Sequence, residues 1–262
     1  MPPEAVIAAL AGLLLGSFLN VCIHRWPRDL SVVWPGSHCP RCRHDIAWYD
    51  NIPVFSWLRL DGRCRHCLSS ISWRYPAVEA LTAVLFAAAV IVWGPTLGAA
   101  RYALFAFLMV GMIFSDLETR LLPDQFTKGG IVLGLVAAWI APLTGGFFTE
   151  LRVTGYFRVN SVLDSAFAAA LLSGALWFIG WAYSRIRKKD GLGFGDVKMV
   201  AAMGAFLGLA PALMAVSAGG IVGSVIGGVW MYWKKKDVGS YELPLGSFLG
   251  AAAIVVGLFS RS

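Results

Sequence analysis

Long apolar segments alternate with short polar ones along almost the whole chain. As helices, most of these segments are about long enough to cross a hydrocarbon core of ~30 Å. Their hydrophobic residues are continuous rather than alternating, which favours helices over the strands of a β-barrel. The pattern therefore predicts an all-α polytopic membrane protein with about eight transmembrane helices. The predicted spans are residues 4–23, 76–94, 99–116, 126–144, 162–184, 197–211, 213–232 and 246–260.

The composition agrees with this class. Of the 262 residues, 58% are hydrophobic and only 14% are charged, and the mean hydropathy is +0.68. The net charge is +7, and Lys and Arg cluster beside apolar segments at 24–29, 185–190 and 233–237. Positive residues in such places mark the cytoplasmic ends of spans. The charge therefore predicts a lipid bilayer as the partner and argues against nucleic acid.

Eight spans and the charge bias agree on one topology. The first apolar segment lacks a positively charged start and an A-x-A-like cleavage site, so we expect an uncleaved span that begins outside the cytoplasm. Each of the four segments that would then lie inside carries Lys or Arg. These segments are residues 25–75, 117–125, 185–196 and 233–245.

Residues 25–75 differ in kind from the rest, because they are polar and rich in Trp and Cys. They predict a small cytoplasmic domain inserted after the first transmembrane helix, which covers residues 1–24. Residues 76–262 then form the main transmembrane domain. Within it, residues 145–161 form an external insertion whose weak alternation of apolar residues is consistent with a short β-hairpin.

The inserted domain contains two CxxC pairs, Cys39–Cys42 and Cys64–Cys67. Four thiolates at this spacing suit a tetrahedral zinc ion, with each pair binding the metal from a tight turn. A structural metal would also stabilise a domain of about fifty residues that has little apolar core. A redox-active dithiol and inert thiols are the alternatives.

Two aspartates lie at the edges of apolar segments. Asp116 ends the third predicted span, and Asp196 follows Gly193 and Gly195 in the sequence GFGD just before the sixth. A carboxylate at membrane depth is costly unless it faces water, a partner or a functional site. Two neighbouring carboxyl groups can share one proton and activate water against a carbonyl, which is aspartic peptidase chemistry. The simpler interpretation of Asp196 is a helix N-cap.

Two features near these acids also need an interpretation. Glycine at 193 and 195 allows backbone torsions closed to other residues and a close approach of a substrate chain. Asp124 follows Pro123 and precedes a predicted helix, so it is most simply an N-cap.

Five motifs in this order make the chain similar to the bacterial prepilin peptidases. That family comprises the bifunctional leader peptidases and N-methyltransferases of type IV pilus and type II secretion systems, which are membrane aspartic peptidases with a GxGD motif. The resemblance covers nearly the whole chain except the insertion at 145–161. Its motifs are GSFLNVCIHRWP (16–27), SHCPRCRHDIAWYDNIPVFSWLRLDGRCRHC (37–67), SWRYPAVE (72–79), the 116–124 segment and GFGDVKM (193–199).

The resemblance implies a function and a set of roles. Asp116 and Asp196 would be the catalytic pair, and Cys39, Cys42, Cys64 and Cys67 the zinc ligands. The substrates would be type IV prepilins or pseudopilins, cleaved after a glycine at the cytoplasmic face of the bacterial inner membrane. The new N-terminal residue would then be methylated with S-adenosylmethionine.

Two further residues gain a possible role from this resemblance. Lys198 could hold a substrate carbonyl or acidic side chain, and a structural lysine that reaches the membrane interface is the alternative. Glu79 could contact the new amine, and an acid favoured by the dipole of its helix is the alternative. Ser115 departs mildly from the family pattern, which has an aliphatic residue there.

Two other classes of protein share part of this pattern. An intramembrane GxGD protease of the presenilin type would carry a Tyr-Asp partner, whereas this chain has Ser115–Asp116 and an additional four-cysteine domain. A proton-coupled transporter would use buried acids as a relay and predicts acids nearer the membrane midplane.

Overall fold

The computed structural model describes residues 1–188, 192–234 and 244–260. Residues 189–190 and 235–237 of the two basic clusters, and most of the predicted inner loop at 233–245, lie outside this part of the chain. The described residues form ten α-helices. These are α1 (Pro3–Arg25), α2 (Phe55–Arg59), α3 (Arg74–Trp93), α4 (Leu97–Thr119), α5 (Asp124–Ile140), α6 (Phe147–Leu151), α7 (Phe157–Arg187), α8 (Phe194–Leu207), α9 (Leu209–Lys234) and α10 (Leu245–Phe259).

Each of the eight predicted apolar segments corresponds to one of the longer helices, which confirms the all-α class. Five of them, α1, α3, α4, α7 and α9, are long and apolar enough to cross a membrane. α10 is apolar but has 15 residues. α8 has 14 residues, which corresponds to roughly 21 Å of rise.

The chain divides into two compact units, Met1–Pro95 and Thr96–Ser262. In the first unit, α1 packs along α3. A Cβ atom on Gly12 would lie 2.6 Å from the α carbon of Ala83, and one on Gly16 would lie 2.8 Å from that of Glu79. Glycine at these two positions therefore lets the two backbones pack closely, as small residues do between membrane helices.

The cysteine-containing segment of the first unit is held by local hydrogen bonds and one ion pair. The Trp57 indole N–H donates to the carbonyl oxygen of Ile71 over 3.1 Å. Arg65 forms a two-pronged ion pair with Asp50, with its Nε 2.6 Å from Asp50 Oδ2. This pairing lowers the pKa of Asp50 below its ordinary value, because the guanidinium donates hydrogen bonds to the ionised carboxylate.

In the second unit, α8 lies among the other helices and packs against α5, α7, α9 and α10. Ten of its 14 residues are buried. A Cβ on Gly204 of α8 would lie 2.7 Å from the Ala169 nitrogen of α7, and one on Gly134 of α5 would lie 2.7 Å from the Ala205 Cβ of α8. These small residues allow close helix contacts, which fix the position of the residues at the start of α8.

The expected hairpin at 145–161 is wrong, because this segment forms α6 and the beginning of α7. The buried Asp164 carboxylate, on α7, accepts hydrogen bonds from the backbone N–H groups of Phe148 and Thr149 at 2.8 and 2.9 Å. It also accepts the Thr149 hydroxyl at 2.6 Å. Asp164 thus satisfies the free N–H groups of a helical turn, which a strand would not present.

Candidate active site and metal centre

Asp116 lies in the last turn of α4 and is 7% exposed. α4 continues three residues beyond the predicted end of this span, so the carboxylate projects from helical backbone. Its Oδ2 atom accepts the backbone N–H of Ser247 at 2.9 Å and the Ser247 hydroxyl at 2.8 Å. Ser247 is the third residue of α10, where backbone N–H groups have no partner within the helix. The Ser247 N–H also contacts the Pro244 carbonyl oxygen at 3.2 Å, and the Asp116 carboxylate is its closer acceptor.

Asp196 lies in the first turn of α8, as its third residue. The simpler interpretation of Asp196 as the N-cap is wrong, because Gly193 occupies that position and no side chain caps the helix. Asp196 instead belongs to the helix itself, and its backbone N–H donates to the Gly193 carbonyl oxygen at 3.1 Å. Its side chain is left to face the neighbouring helices.

The carboxylates of Asp116 and Asp196 both lie beside Gly246, the second residue of α10. A Cβ atom placed on Gly246 would lie 3.2 Å from Asp196 Oδ1 and 3.3 Å from Asp116 Oδ2. The two oxygens are therefore no farther apart than the sum of these distances. Acidic groups from α4 and α8 thus face one small space, and the absence of a side chain on Gly246 leaves that space open.

Gly193 and Gly195 act through space rather than through backbone torsion. Gly193 has an ordinary φ of −69° and Gly195 is helical, so neither adopts the torsions that only glycine allows. A Cβ on Gly195 would lie 3.1 Å from the Leu122 Cβ, and one on Gly193 would lie 3.2 Å from Asp196 Oδ2. Side chains at these positions would press on the segment before α5 and on the Asp196 carboxylate.

Lys198 and Asp124 form an ion pair with each other, between α8 and α5. Asp124 also pairs with Lys128 one turn along α5, at 2.7 Å. Pro123 occupies the N-cap of α5 and Asp124 is its first residue, so the predicted N-cap role of Asp124 is wrong. Lys198 therefore has a partner within the protein, and the pair connects α8 to α5.

Glu79 belongs to the first unit, where it is 7% exposed. Its Oε2 atom accepts the backbone N–H of Val54 at 2.7 Å. Val54 has a φ of 62°, which is unusual for a β-branched residue. Glu79 thus holds the turn before α2 against α3, and this contact fits a structural role for the carboxylate.

The four cysteines come together at the tips of two similar turns in the first unit. In the first turn, the Cys39 N–H donates to the His44 carbonyl oxygen at 2.9 Å and the Arg43 N–H to that of Cys39 at 2.8 Å. In the second, the Cys64 N–H donates to Ser69 at 2.8 Å and the Leu68 N–H to Cys64 at 3.0 Å. The backbone of each CxxC pair is therefore held by the same pattern of hydrogen bonds.

The sulfur positions suit a tetrahedral metal. The Cys39 and Cys67 sulfurs are 3.8 Å apart, those of Cys42 and Cys64 are 4.0 Å apart, and all four lie within 4.8 Å of one another. Sulfurs bound at about 2.3 Å from a tetrahedral zinc would be about 3.8 Å apart. Backbone N–H donors, chiefly that of Cys42, lower the pKa of the Cys39 thiol to about 6, which favours the thiolate that binds metal.

Gly246 and Ser247 were missed by the sequence analysis. Both lie at the start of the last apolar segment, where glycine and serine are ordinary small residues. Pro244 just before them indicated a helix start. Nothing in the one-dimensional pattern indicated that this start would face Asp116, which lies 131 positions earlier.

Comparison with known proteins adds independent information. Residues 10–93 match the family described as the Bacterial Peptidase A24 N-terminal domain, and residues 102–228 match the Type IV leader peptidase family. A prepilin leader peptidase/N-methyltransferase of Aeromonas salmonicida is 34% identical over 97% of this chain and 90% of that protein. Proteins of the same name are 35% identical in Pectobacterium carotovorum and 38% identical in Myxococcus xanthus. The Pectobacterium match covers 93% of this chain and 88% of that protein. The Myxococcus match covers 86% of this chain and 63% of that protein.

No solved structure matches the chain significantly. The matches with families and named relatives extend over both compact units, and the matched ranges contain the positions of Asp116, Asp196 and the four cysteines. The chain therefore belongs to the type IV leader peptidase family.

Proposed function

We propose that the protein is a membrane aspartic endopeptidase that removes the leader from type IV prepilins or pseudopilins, with Asp116 and Asp196 as its catalytic residues. The observation that carries this proposal is the placement of both carboxylates around the open space at Gly246. Relatives named prepilin leader peptidase/N-methyltransferase support the choice of substrate.

The chemistry follows from two carboxyl groups that share one proton. The ionised carboxylate takes a proton from water, whose oxygen attacks the carbonyl carbon of the scissile peptide bond. The protonated carboxyl gives its proton to the carbonyl oxygen. The tetrahedral intermediate then collapses, the C–N bond breaks, and the departing amine receives a proton from the first carboxyl group.

The position of the pair suits a substrate that lies in the membrane. Asp116 is near the end of a helix long enough to span a bilayer, and Asp196 is at the beginning of another apolar helix. We place these ends, residues 25–75 and the scissile bond on the cytoplasmic side of the bacterial inner membrane, with the N-terminus outside. A prepilin would present the glycine at the end of its basic leader at this face.

The cysteine centre suits structural zinc. Cys39, Cys42, Cys64 and Cys67 would complete the coordination, since a structural zinc site takes four protein ligands. When bound, the metal would cross-link the two CxxC turns and supply folding free energy to this segment. We assign it no part in peptide cleavage.

Methylation of the new N-terminus with S-adenosylmethionine is the second proposed activity, and the names of the relatives support it. Glu79 remains our candidate for contact with the substrate amine. Because Glu79 holds the Val54 N–H in this structure, such a contact would require that hydrogen bond to be exchanged.

The test is incubation of the purified protein with a full-length prepilin in detergent, with and without S-adenosylmethionine, followed by mass spectrometry. We expect loss of the leader mass under both conditions and addition of one methyl group only with the donor. An intact prepilin in both samples would contradict the proposed function. Cleavage without methylation would contradict only the second activity.

A further inference from the structure

The loop that follows α1 exposes two consecutive apolar side chains. Val33 is 84% exposed and Trp34 is 78% exposed. Residues 30–37 of this loop contain no charged side chain. Single exposed apolar residues are ordinary on protein surfaces, but two consecutive ones in an uncharged loop form an apolar patch.

The loop is held in place by the last residue of α1. The Arg25 guanidinium donates to the carbonyl oxygens of Ser31 and Pro35 at 2.8 and 2.7 Å. The Ser31 hydroxyl in turn accepts the backbone N–H of Val33 at 3.2 Å and that of Trp34 at 3.4 Å. These bonds tie the loop backbone to the end of α1 and leave the Val33 and Trp34 side chains exposed.

The length of α1 places this loop at the boundary of the hydrocarbon core. α1 is one of the helices that are long and apolar enough to cross a membrane. Its 23 residues correspond to roughly 35 Å of rise, whereas the hydrocarbon core is ~30 Å thick. Arg25 at the end of α1 therefore lies close to the lipid headgroups, and its hydrogen bonds keep the loop at the same level.

The side chains of this segment suit that level of the bilayer. Tryptophan is enriched at membrane interfaces, because its ring is apolar and its N–H can bond polar headgroups. Arg28 precedes the uncharged stretch, and Arg41 and Arg43 follow it. Guanidinium groups bind phosphate well, and phosphate is part of every phospholipid headgroup. An apolar patch between basic residues, attached to the end of a span, fits a lipid surface.

We propose that Val33 and Trp34 form an interfacial anchor, which inserts among the phospholipids of the leaflet at which α1 ends. The anchor leads directly into the first cysteine turn, because the Ser37 carbonyl oxygen accepts the Ile46 N–H at 2.8 Å. Insertion of the loop thus holds the first CxxC pair close to the membrane surface. This inference is independent of the proposed peptidase activity.

The experiment measures tryptophan emission of the full-length protein in phosphatidylcholine vesicles. The vesicles contain phosphatidylcholine brominated either near the headgroups or near the bilayer centre, since bromine quenches only nearby indoles. The difference in emission between wild type and Trp34→Phe isolates the Trp34 signal. Trp57→Phe is the matched control, because the Trp57 indole donates to the Ile71 carbonyl oxygen within the same segment.

We expect bromine near the headgroups to remove most of the Trp34 signal, and bromine near the bilayer centre to remove much less. The Trp57 signal should change little with either lipid. Val33→Asp places a charge in the anchor and should weaken the quenching of Trp34, measured as the difference between Val33→Asp and the double variant with Trp34→Phe. Thermal unfolding checks that each variant is folded.

A Trp34 signal that neither brominated lipid quenches would overturn the inference, whether iodide in the water quenches it or an added prepilin protects it. Protection by prepilin would assign the patch to a protein partner instead of lipid. Equal quenching of the Trp34 and Trp57 signals would also overturn it, because the effect would then not be specific to the loop.

Discussion

Lys198 lies two residues after Asp196, yet its ammonium group pairs with Asp124 on the neighbouring helix α5. The Lys198 side chain is 19% exposed, and its Nζ also lies 5.4 Å from the centre of the Phe194 ring. Both contacts hold the first turn of α8, which carries Asp196. The structure thus favours a structural role for a lysine that the sequence offered as a possible substrate contact.

Replacing this lysine separates the two roles. We expect Lys198→Met to lower kcat by less than about tenfold and to leave KM unchanged, because an ion pair with a half-exposed partner, Asp124, contributes little stability. Lys128→Met is the matched control, since it removes the other cation that pairs with Asp124, and it should stay close to wild type. A large rise in KM confined to Lys198→Met would show that this ammonium group binds the substrate.

The space at Gly246 gives a second prediction. Gly246→Ala should lower cleavage by at least about 100-fold, because the new methyl group would lie within 3.3 Å of an oxygen of each carboxylate and would exclude the reacting groups. Gly220→Ala in α9 is the control, since a Cβ there would meet nothing within 4 Å. Steady-state cleavage assays, together with melting curves, measure both variants. Near-normal cleavage by Gly246→Ala would show that the space is not part of the reaction site.

The cysteine centre predicts bound zinc in the purified protein. Elemental analysis should find about one zinc per chain, and Cys39→Ser or Cys64→Ser should lose it and lower the melting temperature. Cys22 is buried in α1, and Cys22→Ala should keep the metal. Metal-free wild-type protein with a reducible Cys39–Cys42 or Cys64–Cys67 disulfide would instead support the redox alternative.

The Asp50–Arg65 pair predicts a pH-dependent contribution to stability. Arg65 lowers the folded-state pKa of Asp50 below its unfolded value of about 3.9. The pair therefore stabilises the fold above that pH, and its contribution is lost as the pH falls through the folded pKa. The gap in melting temperature between wild type and Asp50→Asn should be constant from about pH 7 to 5 and should narrow below about pH 4.

Both proteins in this comparison carry the same four cysteines, so release of metal in acid affects them alike. Asp29→Asn serves as the control, since Asp29 is exposed and lies outside the cysteine turns. A difference in melting temperature between wild type and Asp50→Asn that stays constant down to pH 3 would contradict the contribution of the Asp50–Arg65 pair to stability.

Hydrophobic patterning predicted the helices well, because long apolar runs in a membrane have few alternatives to helix. The CxxC spacing likewise predicted that four sulfurs would meet, since the two-residue gap itself builds the turn. In both cases the signal is local in sequence. Asp116 and Asp196 were also identifiable, because an acid beside an apolar run is unusual.

Contacts between distant segments could not be predicted in this way. The α6 turn depends on Asp164, which lies 15 residues after Thr149 and captures its N–H. Ser247 reaches Asp116 only after α4 and α10 have packed together. Weak alternation at 145–161 was a poor guide, because the capping carboxylate stabilised a helical turn instead.

The most direct test of the account is single-turnover cleavage of one prepilin by wild type, Asp116→Asn and Asp196→Asn at equal amounts of folded protein. Asn keeps the size of the side chain and removes its ability to exchange a proton. We predict that the wild type releases the leader and that each variant alone releases none. Cleavage by either variant at a rate comparable to wild type would contradict the assignment of these two carboxyl groups as the catalytic pair.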